Sequence, residues 1–179
     1  MMAQPNAGGS SEVSEVLSME VLSRLLGPGG GSGKRDVVGE MEVTYWSSNW
    51  KKVDYLCRLP RRKGFVGVSV TRAMGFPTAE HFGREDAERL LHKKLHGLVV
   101  ARQGLCEAHA VETAILHVWC QTQEVADLVE AAARRLQLEE GEEGALLDGV
   151  TVVLTVAGRG LEGVFTEDLS LLPEAAVAA

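Results

Sequence analysis

Two β-rich runs flank an amphipathic helix in the second half of the chain, and this order constrains the fold more than any other feature. Residues 113–120 (TAILHVWC) are apolar with little alternation, which predicts a largely buried strand. Gln123 to Leu138 then places Val125, Leu128, Val129, Ala132 and Leu136 at helical spacing. After an Asp148-Gly149 turn, Val150 to Ala157 (VTVVLTVA) is β-rich again. A strand, a helix and a second strand ordinarily pair in parallel through a right-handed crossover, so this half predicts a parallel sheet with a helix packed on it.

The first half has a different grammar. Residues 37–46 (VVGEMEVTYW) and 50–59 (WKKVDYLCRL) are β-rich runs separated by Ser47-Ser48-Asn49, which predicts a hairpin. Arg61-Arg62-Lys63-Gly64 makes the next turn, and Phe65 to Ala73 (FVGVSVTRA) puts Val66, Val68 and Val70 on one face and Gly67, Ser69 and Thr71 on the other. Three strands with short connections imply an antiparallel meander. Helices frame it: residues 11–26 space Val13, Val16, Leu17, Val21, Leu22, Leu25 and Leu26 near the helical period behind a Ser11 N-cap, and residues 84–103 do the same with Ala87, Leu90, Leu91, Leu95, Leu98 and Val99. The expectation is an α/β fold: a mixed central sheet with helices on both faces, core order αβββαβ, then a C-terminal helix and strand. Residues 11–157 make one domain between a flexible tail at 1–10 and a C-terminal tail at 158–179. The stretch at 27–36 (GPGGGSGKRD) has Pro28 where a phosphate loop needs its first glycine and Arg35 where it needs Ser or Thr, so it reads as a linker.

Composition narrows the environment. No apolar run approaches the roughly 20 residues that cross a bilayer, and the start lacks a basic and apolar leader. Cys57, Cys106 and Cys120 are odd in number and irregularly spaced, which suits thiols in a reducing intracellular setting better than a disulfide framework. Charge is uneven along the chain. The formal net charge is −7, yet residues 51–103 hold 12 Lys and Arg against 5 acids, while the remainder has 6 bases and 20 acids. Lys51, Lys52, Arg58, Arg61, Arg62, Lys63, Arg72, Lys93 and Lys94 are therefore candidates for contacting DNA or RNA phosphates, or an acidic protein partner. Trp50 at the hairpin turn, near Tyr45, Trp46 and Tyr55, adds a ring able to stack on a base or anchor an interface.

In element order, and in Asp54 within Lys52-Val53-Asp54-Tyr55, residues 11–157 resemble the restriction-endonuclease-like, PD-(D/E)xK phosphodiesterase fold. The resemblance implies an Asp early on the second strand, a (D/E)-x-K set on the third, and often a Glu from the first helix, together holding Mg²⁺ and a general base. Asp54 matches the first of these. The third strand instead presents Ser69-Val70-Thr71 followed by Arg72, and hydroxyls are poor Mg²⁺ ligands beside carboxylates. The expectation is thus a nucleic-acid-associated or complex-building subunit on a nuclease-like fold that has lost catalysis and needs no cofactor. The alternatives are an active Mg²⁺-dependent nuclease and a protein-interaction subunit. The nuclease would use Asp54 with Glu42 brought opposite it by the hairpin, and Glu88, Lys93 or Lys94 in place of the missing groups.

Other pairs point to bland roles. His92 and His96 share a helix side, but Lys93 occupies the place of a zinc-protease glutamate, and a polar helix face accounts for both. Cys106-x-x-His109 and His117-x-x-Cys120 mimic zinc spacing, although positions 117 and 120 of a strand face opposite ways.

Overall fold

A computed structural model describes residues 12–26, 37–47, 51–59, 64–139, 141, 143–158 and 160–166. The tail at 1–10, the Ser11 cap, the linker at 27–36, Trp50, Arg61, Arg62 and Lys63 lie outside the described residues.

Helix α1 (Glu12–Leu26) precedes strands β1 (Val37–Gly39), β2 (Tyr55–Cys57) and β3 (Phe65–Ala73), followed by α2 (Arg84–Gly104), β4 (Val111–Cys120), α3 (Gln123–Leu138) and β5 (Val150–Val156). The five strands form a single sheet in the order β1-β2-β3-β4-β5. The β1, β2 and β3 pairings are antiparallel, and β3, β4 and β5 pair in parallel. This is the mixed sheet that the two grammars of the sequence predict. Helices α2 and α3 cover one face, where Leu91, Leu95, Leu98, Val125, Val129 and Leu136 pack on Leu56, Leu116 and Val118. On the other face α1 sets Leu17 and Leu22 against Tyr55, Val66, Val68, Val70, Ile115 and Trp119.

Local chemistry places the ends. The Asp86 carboxylate accepts the Gly83 N–H at 2.9 Å ahead of α2, and the Thr122 hydroxyl accepts the Val125 N–H at 3.3 Å to cap α3. At the Asp148-Gly149 turn Gly149 has φ +68, a conformation that a side chain disfavours, and Arg102 ties the turn down by donating to the Asp148 carbonyl at 2.9 Å.

Three expectations need correction. The long hairpin is cut short: β1 ends at Gly39, residues 40–42 turn as a 3-10 helix, and β2 begins only at Tyr55. The reason is a competing partner for the middle segment. Thr44, Tyr45 and Trp46 leave the sheet for the end of α2, where Tyr45 bridges Leu105, Trp46 N–H donates to the Gly104 carbonyl and Cys106 N–H to that of Thr44, both at 3.0 Å. The buried stripe of α1 is also shifted. Val16 and Leu25 are 48% and 64% exposed, while Ser14 and Ser18 are buried, because the helix approaches the sheet through its small residues. Finally, part of the stretch expected as tail has structure, since residues 162–164 form a 3-10 turn whose Val164 is buried against the α1 layer.

Candidate functional site

Strand β2 stops pairing one residue upstream of Tyr55, and the place where it parts from β3 gathers several ionisable groups. Asp54 N–H still bonds the Val68 carbonyl at 2.9 Å, but the Val53 N–H turns away to the Tyr45 hydroxyl at 2.8 Å. The N–H and C=O of Val70 are thereby left on an open edge. The Asp54 carboxylate accepts the N–H at 2.5 Å, and the Lys94 ammonium, arriving from α2, donates to the C=O at 3.5 Å. Ser69 gives Asp54 a further hydrogen bond, and the charges of Glu15 on α1, Asp54 and Lys94 are close enough to act on one another.

The electrostatics of this cluster are uncomfortable. Burial pushes the Asp54 carboxyl up to about 6, with Glu15 adding to the rise and the Val70 N–H, Lys94 and Ser69 opposing it. Burial likewise lowers the Lys94 ammonium from its ordinary value; Asp54 opposes that, while neighbouring Lys93 and Arg72 add to it. Groups held against their preferred charge states at an open edge are the pattern found where a site must bind or transfer charge. Chemically, the arrangement offers a carboxyl of raised proton affinity, an ammonium of reduced proton affinity, and a local surplus of positive charge.

Sequence-predicted residues divide around it. Asp54, Lys94, Lys93 and Arg72 come together, with Arg72 also donating to the Val164 carbonyl at 3.3 Å. Glu42 does not face Asp54: the register pairs Gly39 with Tyr55, and the Glu42 carboxylate instead accepts the Gly39 N–H at 3.2 Å. Glu88 is engaged by Arg84 at 2.8 Å and by Arg135. Lys51 and Lys52 are exposed just before Asp54, with Lys52 3.3 Å from Glu40. Arg58 lies toward the opposite end of β3, its guanidinium 4.3 Å from the centre of the Phe65 ring, so the described basic residues do not form one continuous face. Of the aromatic group, Tyr55 is buried, Tyr45 half-buried and Trp46 75% exposed. Glu15 was missing from the sequence-derived site; its signal is a carboxylate one position from buried Ser14 on a helix that leans on the sheet.

The remaining pairs are structural or peripheral. His109 accepts the Thr44 N–H at 3.0 Å through Nδ1. His117 is fully buried, with Nδ1 2.6 Å from the Ser18 hydroxyl and Nε2 2.9 Å from that of Thr155. Burial holds the Cys57 thiol at about 11 and that of Cys120 at about 12, which leaves neither a ready nucleophile. His92 faces Glu139 and Glu143 across the α2 and α3 ends, with ligand atoms within 4.8 Å of one another, while His96 is exposed. Among the described residues no helix is long and apolar enough to cross a membrane.

No protein-family model matches the chain, and no solved structure matches it. A Dictyostelium discoideum protein described as the AAC-rich mRNA clone AAC4 protein is 34% identical over 131 residues, which is 70% of this chain and 18% of that protein. The chain therefore spans less than a fifth of the relative it matches.

Proposed function

We propose that the chain is a nucleic-acid-binding subunit of nuclease-like architecture that holds a phosphate backbone at the open edge of β3. The observation that carries this reading is the Lys94 ammonium at the Val70 carbonyl, with its proton affinity lowered first by burial and further by the charges of Lys93 and Arg72. Cations gathered this way repel one another, and a phosphodiester set between them offsets that repulsion. Lys51 and Lys52 are exposed just before Asp54 in the chain, with Lys52 3.3 Å from Glu40. Ser69 and Thr71 stand where a metal-dependent nuclease of this architecture places acidic and basic groups, which favours binding without cleavage.

One feature favours a second reading, an active Mg²⁺-dependent phosphodiesterase. Glu15 acts on Asp54 electrostatically from α1, and Lys94 brings an ammonium from α2 where the third strand has no lysine. In this reading Asp54, with Glu15 acting on it from α1, would hold a divalent cation, which would activate water and neutralise charge on the phosphate. Glu42 has no part in this version.

The test is titration of the purified protein with labelled single-stranded and duplex DNA and RNA at low and moderate salt, with and without Mg²⁺, and products resolved on a gel. Binding that weakens with salt, with a log–log slope that falls by about 1 in Lys94→Ala, is the expected result. Mg²⁺-dependent cleavage abolished by Asp54→Ala moves the conclusion to the second reading. Absence of both binding and cleavage overturns the two together.

A further inference from the structure

The two edges of the sheet are managed differently. At one edge β1 is three residues long and runs straight into a 3-10 turn, which blunts it. At the other, β5 presents seven residues, Val150–Val156 (VTVVLTV), with no charge, no proline and an unbroken register to β4. Among the described residues nothing pairs with its outer side. A bare edge of this kind is a template for another strand, and proteins ordinarily protect one that is not meant to be used.

What lies beside the edge indicates the occupant. A groove of about 590 Å³ runs between β5 and α3, floored by Val150, Val152, Leu154 and Val156. Its α3 wall carries the stripe Gln123, Asp127, Glu130, Arg134, Gln137. Read from either end about Glu130, this stripe sets glutamine against glutamine and Asp127 against Arg134. It is complementary to an antiparallel copy of itself.

We infer that β5 is a homodimer edge. Two copies pair antiparallel through β5 about a two-fold axis near Val153, which makes a continuous ten-stranded sheet from the two five-stranded ones. The two-fold brings α3 of each copy alongside the other in antiparallel orientation, so that Asp127 of one meets Arg134 of its partner twice. Glu130 meets its own counterpart near the axis, and each is already compensated by Arg134 of its own helix at 2.6 Å. Isologous contacts require this self-complementarity, which an edge built for an unrelated peptide would not need.

Sedimentation velocity of the full chain over a concentration series tests the inference, with circular dichroism and thermal melts confirming that each variant is folded. A monomer–dimer equilibrium is expected. Val156→Lys, at an exposed β5 position, should raise the dissociation constant by at least about tenfold, as lysine does on protected edges. Asp127→Arg and Arg134→Asp should each weaken the dimer about tenfold, and the two combined in one chain should restore it, because the cross-pairs are then exchanged rather than removed. A single monomeric species at every concentration overturns the inference, including the case in which another segment of the chain covers β5. So does a dimer indifferent to all four variants, since it must then use a different surface. Neither result depends on nucleic-acid binding.

Discussion

Two places where ionisable groups are buried among the described residues, α1's side of β4 and the open edge of β3, are treated in opposite ways. Behind α1, His117 has hydroxyl partners on both ring nitrogens, Ser18 also bonds the Tyr55 hydroxyl at 2.8 Å, and Trp119 donates its indole N–H to the Ser14 carbonyl at 3.0 Å. This network is neutral and satisfied, and it fixes the helix to the sheet. At the β3 edge, Asp54, Glu15 and Lys94 are only partly compensated. Polar burial that serves folding commonly ends in complete hydrogen bonding, whereas buried charge left in conflict is the pattern that functional sites often share.

The largest expected effect separates the two regions by pH. Burial holds His117 down to about 4, below its ordinary 6.5, so the unfolded chain takes up this proton first as the solution is acidified. Stability from this group is full above pH 6.5 and is lost as pH falls to 4, by about 3 kcal/mol. Asp54, raised to about 6 from 3.8, has the opposite sign: its penalty is present above pH 6 and disappears as pH falls through 3.8. The two contributions oppose each other in the same window. Urea unfolding at pH 7.5 and pH 4 should therefore show the change in stability on acidification shifted by about 3 kcal/mol in favour of His117→Gln relative to the unaltered chain. An unchanged pH dependence would remove the contrast between the two sites.

A smaller effect tests whether the α1 network is as satisfied as its geometry suggests. Ser18→Ala leaves both His117 Nδ1 and the Tyr55 hydroxyl without their shared partner and should cost about 2 kcal/mol in the same unfolding assay. A loss no larger than that of an exposed Ser23→Ala control would make the network incidental.

The smallest expected change has the reverse sign. Asp54→Asn keeps an acceptor for the Val70 N–H and removes the desolvated charge, so it should stabilise the fold by about 1 to 2 kcal/mol at pH 7.5 and by almost nothing at pH 4. A gain in stability with altered nucleic-acid binding is what a functional compromise predicts. Destabilisation at pH 7.5 would place Asp54 with the structural groups instead.

Much of the architecture was legible in the residues. The period of two through 65–73, the apolar runs of β4 and β5 and the helix between them specified a mixed sheet with an antiparallel and a parallel half, because side-chain periodicity and crossover handedness are local properties. Asp54 and Lys94 were also nameable as candidates. Their meeting was not, since they lie 40 positions apart and come together only because β2 ends early. The shortened hairpin escaped the sequence for a related reason: residues 44–46 have strand character, but their hydrogen bonds go to the end of α2, and nothing in their composition specifies that partner.

By itself, then, the sequence determined the element types, their order and the direction in which most of them pair, all of which follow from the spacing of apolar residues along the chain. Tertiary structure decided which polar groups are reconciled and which are left in conflict. Desolvation and Coulomb interactions depend on distances between segments far apart in sequence, and those distances exist only once α1, β2 and α2 have packed around β3.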